Sequence, residues 1–256
     1  MKKMQVFIFI AALICFLGSG GYLAKYFWER HVSAKNMDTV KELLIDEAHE
    51  DEEETILDEN NESILVRYAK LKEENSDFSG WISVPGTTID YPVMYVPGDN
   101  DTYLYANFKK EWDGGGTPFI DGACTLNPIS DNLIIYGHHM NDNSMFQPLM
   151  NYKDKDFYED HKIIKFDTTR AKGTYEVVAV IVTRALYVDE EGFRYYGHLN
   201  FNTEEEFNYY WENISAISLY ETDSIPEYGD KLITLSTCEY SQDDGRLAVI
   251  AVKKQS

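Results

Sequence analysis

Positive charge and cysteine are both scarce in this chain, and each shortage narrows what it can be. Against 44 Asp and Glu there are only 23 Lys and Arg, a formal net charge of −21. Nucleic-acid binding needs Lys and Arg at phosphates, so this balance argues against such a partner. The deficit is uneven: residues 42–62 (ELLIDEAHEDEEETILDENNE) hold eleven Asp or Glu and no Lys or Arg. A block of like charge repels itself and stays solvated, which predicts a linker or frayed helix. Nothing spaces its carboxylates like a calcium loop, so no metal is expected there. There is no internal repeat and no other low-complexity tract.

Charge of either sign is missing from residues 4–24 (MQVFIFIAALICFLGSGGYLA), which follow Lys2 and Lys3. At helical rise this run spans roughly 30 Å, the thickness of a bilayer core. Tyr22, Tyr26, Phe27 and Trp28 cluster where an interfacial belt belongs. A cleaved signal peptide would rely on the weak site "GSGG", and Ile14 is too bulky before Cys15 for a lipoprotein. The expectation is an uncleaved signal-anchor at 4–24 with a cytoplasmic tail at 1–3, an acidic linker at 25–61 and a folded domain at 62–256. The single-pass chain would then carry that domain outside the cell, although Lys25, Arg30 and Lys35 after the span count against this orientation.

The three cysteines are Cys15 in the span, Cys124 and Cys238. An exported domain forms disulfides by default, so Cys124 and Cys238 either pair or remain as two free thiols. The segment from Glu62 to Asn75 has Ile64, Leu65, Tyr68 and Leu71 at helical spacing and predicts an amphipathic helix. Beyond it come eight strand-like runs: 81–84, 89–96, 117–121, 132–138, 162–166, 174–188, 231–237 and 246–253. Turn chemistry separates them in "VPGTT", "DGGG", "NPISD" and "EYGD". Pro92 marks an edge or bulge in the second run. One long helix is expected at 203–218, opened by a capping box of Thr203 and Glu206. Eight strands with few helices predict a mainly β protein, a closed or nearly closed barrel.

The chemistry centres on "TLSTCEYSQDDGRLAVIA" (Thr234 to Ala251), where Cys238 ends one apolar run and Arg246 opens the next. Strand alternation places Cys238 on the face of Ser236, Thr234 and Leu232, and Arg246 on that of Ala248 and Ile250. If the two strands pair as a hairpin, thiol and guanidinium sit side by side. The cation then favours the thiolate and offers planar donors to a carbonyl oxygen that gains charge under attack. Such a nucleophile needs a proton carrier, usually His. His31 and His49 lie near the span or in the acidic block, and His161 opens a strand beside Asp160. That leaves His138 or His139, at the end of "NLIIYG", ahead of His198 in an irregular stretch. Asp243 and Asp244 could orient a His but read as solvated loop acids.

Taken together, "TLSTC", Arg246 eight residues on and "YGHHM" about a hundred residues upstream resemble a sortase, most closely class B. The resemblance covers residues from about 62 to 256. It implies an eight-stranded sortase barrel with an N-terminal helix and a long helix before the cysteine strand. It assigns Cys238, His138 and Arg246 to catalysis, with Ser236 and Thr237 at the substrate and His139 a neighbour. It implies a membrane-anchored cell-surface transpeptidase whose partners are surface proteins with a C-terminal sorting signal and a peptidoglycan precursor amine. No metal or organic cofactor is implied. Rival readings fit less well. A phosphatase loop would wrap a phosphate, whereas seven residues including Glu239, Asp243 and Asp244 separate this Cys and Arg. A papain-like hydrolase opens a helix with its Cys. A non-enzymatic wall-binding domain leaves Cys238, His138 and Arg246 without a common purpose.

Overall fold

A computed structural model describes residues 2–44, 54–57, 63–187 and 189–254, so most of the acidic block and His49 lie outside the described residues. The chain divides into two units, Met1–Glu42 and Leu43–Ser256. In the first, α1 runs from Lys2 to Lys41, well past the apolar stretch. Residues 25–41, expected to begin the linker, are therefore helical. No proline interrupts them, and Lys25 pairs with Glu29 one turn on at 3.6 Å. The part of α1 from Met4 onward is long and apolar enough to cross a membrane.

The second unit begins with a short hairpin, β1 (Thr55–Leu57) against β2 (Ser63–Leu65), so part of the presumed linker is strand. The helix expected over 62–75 is broken into β2, a 3-10 turn at Val66–Tyr68 and α2 (Ala69–Glu74). Pairing overrides helical spacing here: Ile64 lies opposite Ile56, and the Leu65 N–H donates to the Thr169 carbonyl at 2.8 Å. The apolar positions nevertheless meet the core, since Ile64, Leu65, Tyr68 and Leu71 are all buried.

Eight strands follow: β3 (Phe78–Ser83), β4 (Asp90–Met94), β5 (Phe119–Ile120), β6 (Asn132–Tyr136), β7 (Ile163–Thr168), β8 (Thr174–Arg184), β9 (Leu232–Cys238) and β10 (Gly245–Lys253). The short α3 (Lys155–Asp160) precedes β7, and α4 (Glu204–Ile217) precedes β9. The strands close into a barrel in the order β10-β8-β7-β3-β4-β5-β6-β9, as the eight apolar runs predicted. β4 pairs with β3 along its length but meets β5 only at Met94, so Pro92 has an open flank on one side. At α4 the Thr203 side chain accepts from Glu206 N, while the Glu206 carboxylate reaches back to Asn202 N at 2.8 Å, one residue earlier than a capping box requires.

One face of β9 and β10 positions the site. At one end of it α4 buries Phe207, Tyr210 and Ile214 in a cluster with Leu232, Ala248 and Ile250. Along β9 the face then turns polar, through Thr234 and Ser236 to Cys238. Each buried hydroxyl on the way is satisfied: Thr234 Oγ1 donates to Asn132 Oδ1 at 2.9 Å, and Ser236 Oγ shares a 2.7 Å bond with Tyr195. Asn132, fully buried, also donates to the Tyr210 hydroxyl at 3.3 Å and the His198 carbonyl at 3.2 Å. Replacing Asn132 with Ala strands these partners away from water. Asn132→Ala should therefore cost about 2–3 kcal/mol, read as a lower urea midpoint at unchanged slope.

Candidate active site

Cys238 is the last residue of β9 and lies directly opposite Arg246 of β10. The flanking bond, Glu239 N–H to the Gly245 carbonyl at 2.9 Å, marks Cys238 and Arg246 as a pair that exchanges no backbone bonds between them. Such pairs bring Cα atoms to about 4.5 Å and their side chains closer than the alternative register. The connecting loop is tight: a Cβ at Gly245 would lie 2.2 Å from the Glu239 carbonyl, and Asp244 adopts φ +54°. Arg246 Nη1 donates to the carbonyls of Gly245 (2.9 Å) and Asp244 (3.3 Å), which aims the planar group while leaving its other nitrogens outside these bonds.

β6 runs parallel to β9 on the other side, with Tyr136 opposite Ser236 and the Gly137 N–H donating to the Ser236 carbonyl at 3.1 Å. His138 thus emerges at the same rim as Cys238. Gly137 is required by close approach, because a Cβ there would come within 2.5 Å of the Phe146 ring. His138 Nε2 lies 2.7 Å from the Leu104 carbonyl, and its ring packs 5.3 Å from Tyr105. A carbonyl only accepts, so Nε2 carries a proton in this arrangement and Nδ1 is the nitrogen outside the contact. His138, Cys238, Arg246, Ser236 and Thr237 all line one cavity of about 330 Å³, with Leu104 and Tyr195 among its other walls.

Ser236 and Thr237, expected at the substrate, lie in the wall of this cavity. Ser236 and Thr237 are buried, Ser236 is bonded to Tyr195, and the Thr237 hydroxyl has no hydrogen-bond partner among the described residues. Burial pushes the Tyr195 phenol up to about 12, with the Arg246 charge pulling the other way. Cys124 and Cys238 are both free thiols, so no disulfide joins them; burial lifts the Cys124 thiol to about 11. His198 is not among the residues lining this cavity; it packs on Phe193, and its burial lowers its pKa. His161 stacks on Phe157 at 3.9 Å. Asp244 accepts from the Tyr187 hydroxyl at 2.9 Å and holds the loop after β8 rather than a histidine.

Two further contacts escaped the sequence reading. His139 Nδ1 lies 2.9 Å from the Cys238 carbonyl. Glu239, noted in the sequence only as a loop acid that would repel a phosphate, is buried, with Oε1 2.5 Å from Lys153 Nζ and Oε2 bonded to Ser241. No local pattern announces either bond, because Glu239 and Lys153 are far apart in sequence.

The family model described as a Sortase domain matches residues 82–254, and the chain belongs to the sortase family of cysteine transpeptidases. Within it the similarity is to class B. Sortase B of Staphylococcus aureus is 30% identical over 200 residues, covering 77% of this chain and 78% of that one. Sortase B of Listeria monocytogenes is 34% identical over 181 residues, covering 70% of each chain. Among solved structures, sortase B from B. anthracis in complex with AAEK1 superposes with a TM-score of 0.73 at 30% identity, covering 90% of this chain and 100% of that one. The Staphylococcus aureus sortase B–substrate complex gives 0.70 at 28% identity, covering 91% and 99%.

Two variants test the local construction. Gly137→Ala forces Phe146 aside and should cost roughly 1–3 kcal/mol of stability together with a loss of turnover. The second concerns Glu239, whose carboxyl the Lys153 ammonium and Ser241 hold far below the ordinary 4.5, at about 2. A depressed carboxyl pKa stabilises the fold fully above 4.5 and loses that contribution as pH falls toward 2. The melting-temperature advantage of the native chain over Glu239→Gln should therefore be level from neutral pH down to 4.5 and shrink below it.

Proposed function

We propose that this chain is a membrane-anchored, cell-surface sortase B that cleaves a C-terminal sorting signal of Asn-Pro-x-Thr type after Thr. It then transfers the protein to a peptidoglycan precursor amine. The observation that carries the reading is the convergence of Cys238, Arg246 and His138 on one cavity, from the ends of three adjacent strands. The Cys238 sulfur attacks the Thr carbonyl carbon, and Arg246 holds the oxygen as it gains charge. The C–N bond breaks, and the departing amine takes its proton from His138. The thioester left on Cys238 is attacked by the acceptor amine, which loses a proton to His138 as the C–S bond breaks and the sulfur leaves as thiolate. Ser236 and Thr237 support the bound signal from β9, and α1 supplies the single membrane span.

The test uses the full chain in detergent with a small set of peptides varying the first two signal positions. An acyl-enzyme should form on Cys238 with the mass of the N-terminal fragment, and an added amine should speed its release. A hydrolase would yield only free acid, and a binding domain would form no adduct. Cys238→Ala should abolish the adduct while the fold is retained, and Cys124→Ala should leave it unchanged. His138→Ala should lose most activity and His198→Ala little. Arg246→Lys keeps the charge but loses the planar donors, and should lower turnover on the order of a hundredfold, or about 3 kcal/mol.

A further inference from the structure

Neither backbone polar group of Cys238 bonds to β10. In its pair with Arg246 the bonds to β10 are made by the flanking residues, so the Cys238 carbonyl points toward β6 and the segment after it. There it meets the His139 ring, with Nδ1 at 2.9 Å. That ring is held in turn. Its face packs 5.0 Å from Tyr240, and its backbone bridges to Met145, whose N–H donates to the Tyr91 hydroxyl at 3.0 Å. The neighbouring His138 carbonyl accepts from Phe146 N at 2.9 Å. A second tie runs beside the first: Glu239, the residue after Cys238, pairs with Lys153, the last residue of the 3-10 helix that follows this histidine loop. The strand end that presents the thiol is thus fastened twice to the segment that presents His138. His139 is not among the residues lining the cavity.

We propose that His139 is a positioning residue: its Nδ1–H clamps the Cys238 carbonyl and so fixes the thiol relative to His138. The inference rests on the reading of Cys238 and His138 as nucleophile and proton carrier. Because a carbonyl only accepts, the clamp requires His139 to be the Nδ1–H tautomer when neutral. The clamp acts on alignment rather than on substrate affinity, so its loss reduces kcat and leaves KM nearly unchanged.

The test has two arms, both on the full chain in detergent. Imidazole nitrogen shifts of His139, read without substrate, should show the Nδ1–H tautomer; an Nε2–H tautomer overturns the proposal. In peptide cleavage, His139→Ala should lower kcat about tenfold at nearly constant KM. His139→Asn, whose side-chain amide places an N–H near the position of Nδ1, should recover to within about threefold of the native rate. The limbs of the pH–rate profile should stay where they are in both variants. Full activity in the Ala variant, no recovery in the Asn variant, or a lost limb in either one overturns the proposal, the last because it would make His139 the proton carrier. If the native chain cleaves no peptide, the functional reading fails there, while the tautomer still decides whether the clamp exists.

Discussion

The register of β9 between β10 and β6 is the constraint on which the site depends. Side chains alternate along a strand, so a slip of one residue would turn Cys238 inward and bring Thr237 to the rim. On the β10 side the register places Cys238 and Arg246 in the closer of the two antiparallel pair types. On the β6 side the pairing is parallel, and parallelism matters for a different reason. Parallel neighbours end at the same rim of a barrel, so the residues following Tyr136 and Ser236 emerge together. An antiparallel β6 would have sent His138 to the far end.

The electrostatics follow the same economy. The chain is strongly acidic, yet among the described residues no Asp or Glu lines the cavity. Carboxylates nearby are committed elsewhere: Glu239 to Lys153, Glu190 to Arg184, and Asp244 to the Tyr187 hydroxyl. Among the described residues no carboxylate pairs with Arg246, whose Nη1 donates to two backbone carbonyls. Neutral oxygens steer the guanidinium without cancelling its charge.

Much of this was legible in the sequence, and the parts that were not share a cause. All eight strands were marked by β-branched runs between turn residues, and the pairing of Cys238 with Arg246 followed from alternation across a short loop. The segment at 62–75 was misread because its buried positions suit a helix as well as a strand followed by a turn. Only the distant partner strand at Thr55–Leu57 and the Thr169 carbonyl decide between them. The extension of α1 through Lys41 was missed because its charges suggested a solvated linker, and a polar helix carries no apolar periodicity. The roles of His139, Glu239 and Tyr195 were hidden because each depends on a contact across more than forty residues of chain.

Cys124 shows how burial can quiet a free thiol. Disulfide exchange proceeds through the thiolate, and a thiol at about 11 instead of its ordinary 9.0 has roughly a hundredfold less thiolate at neutral pH. It is also almost wholly enclosed, behind Asn132 and Tyr95. An oxidant or electrophile diffusing to the barrel therefore meets little thiolate at Cys124.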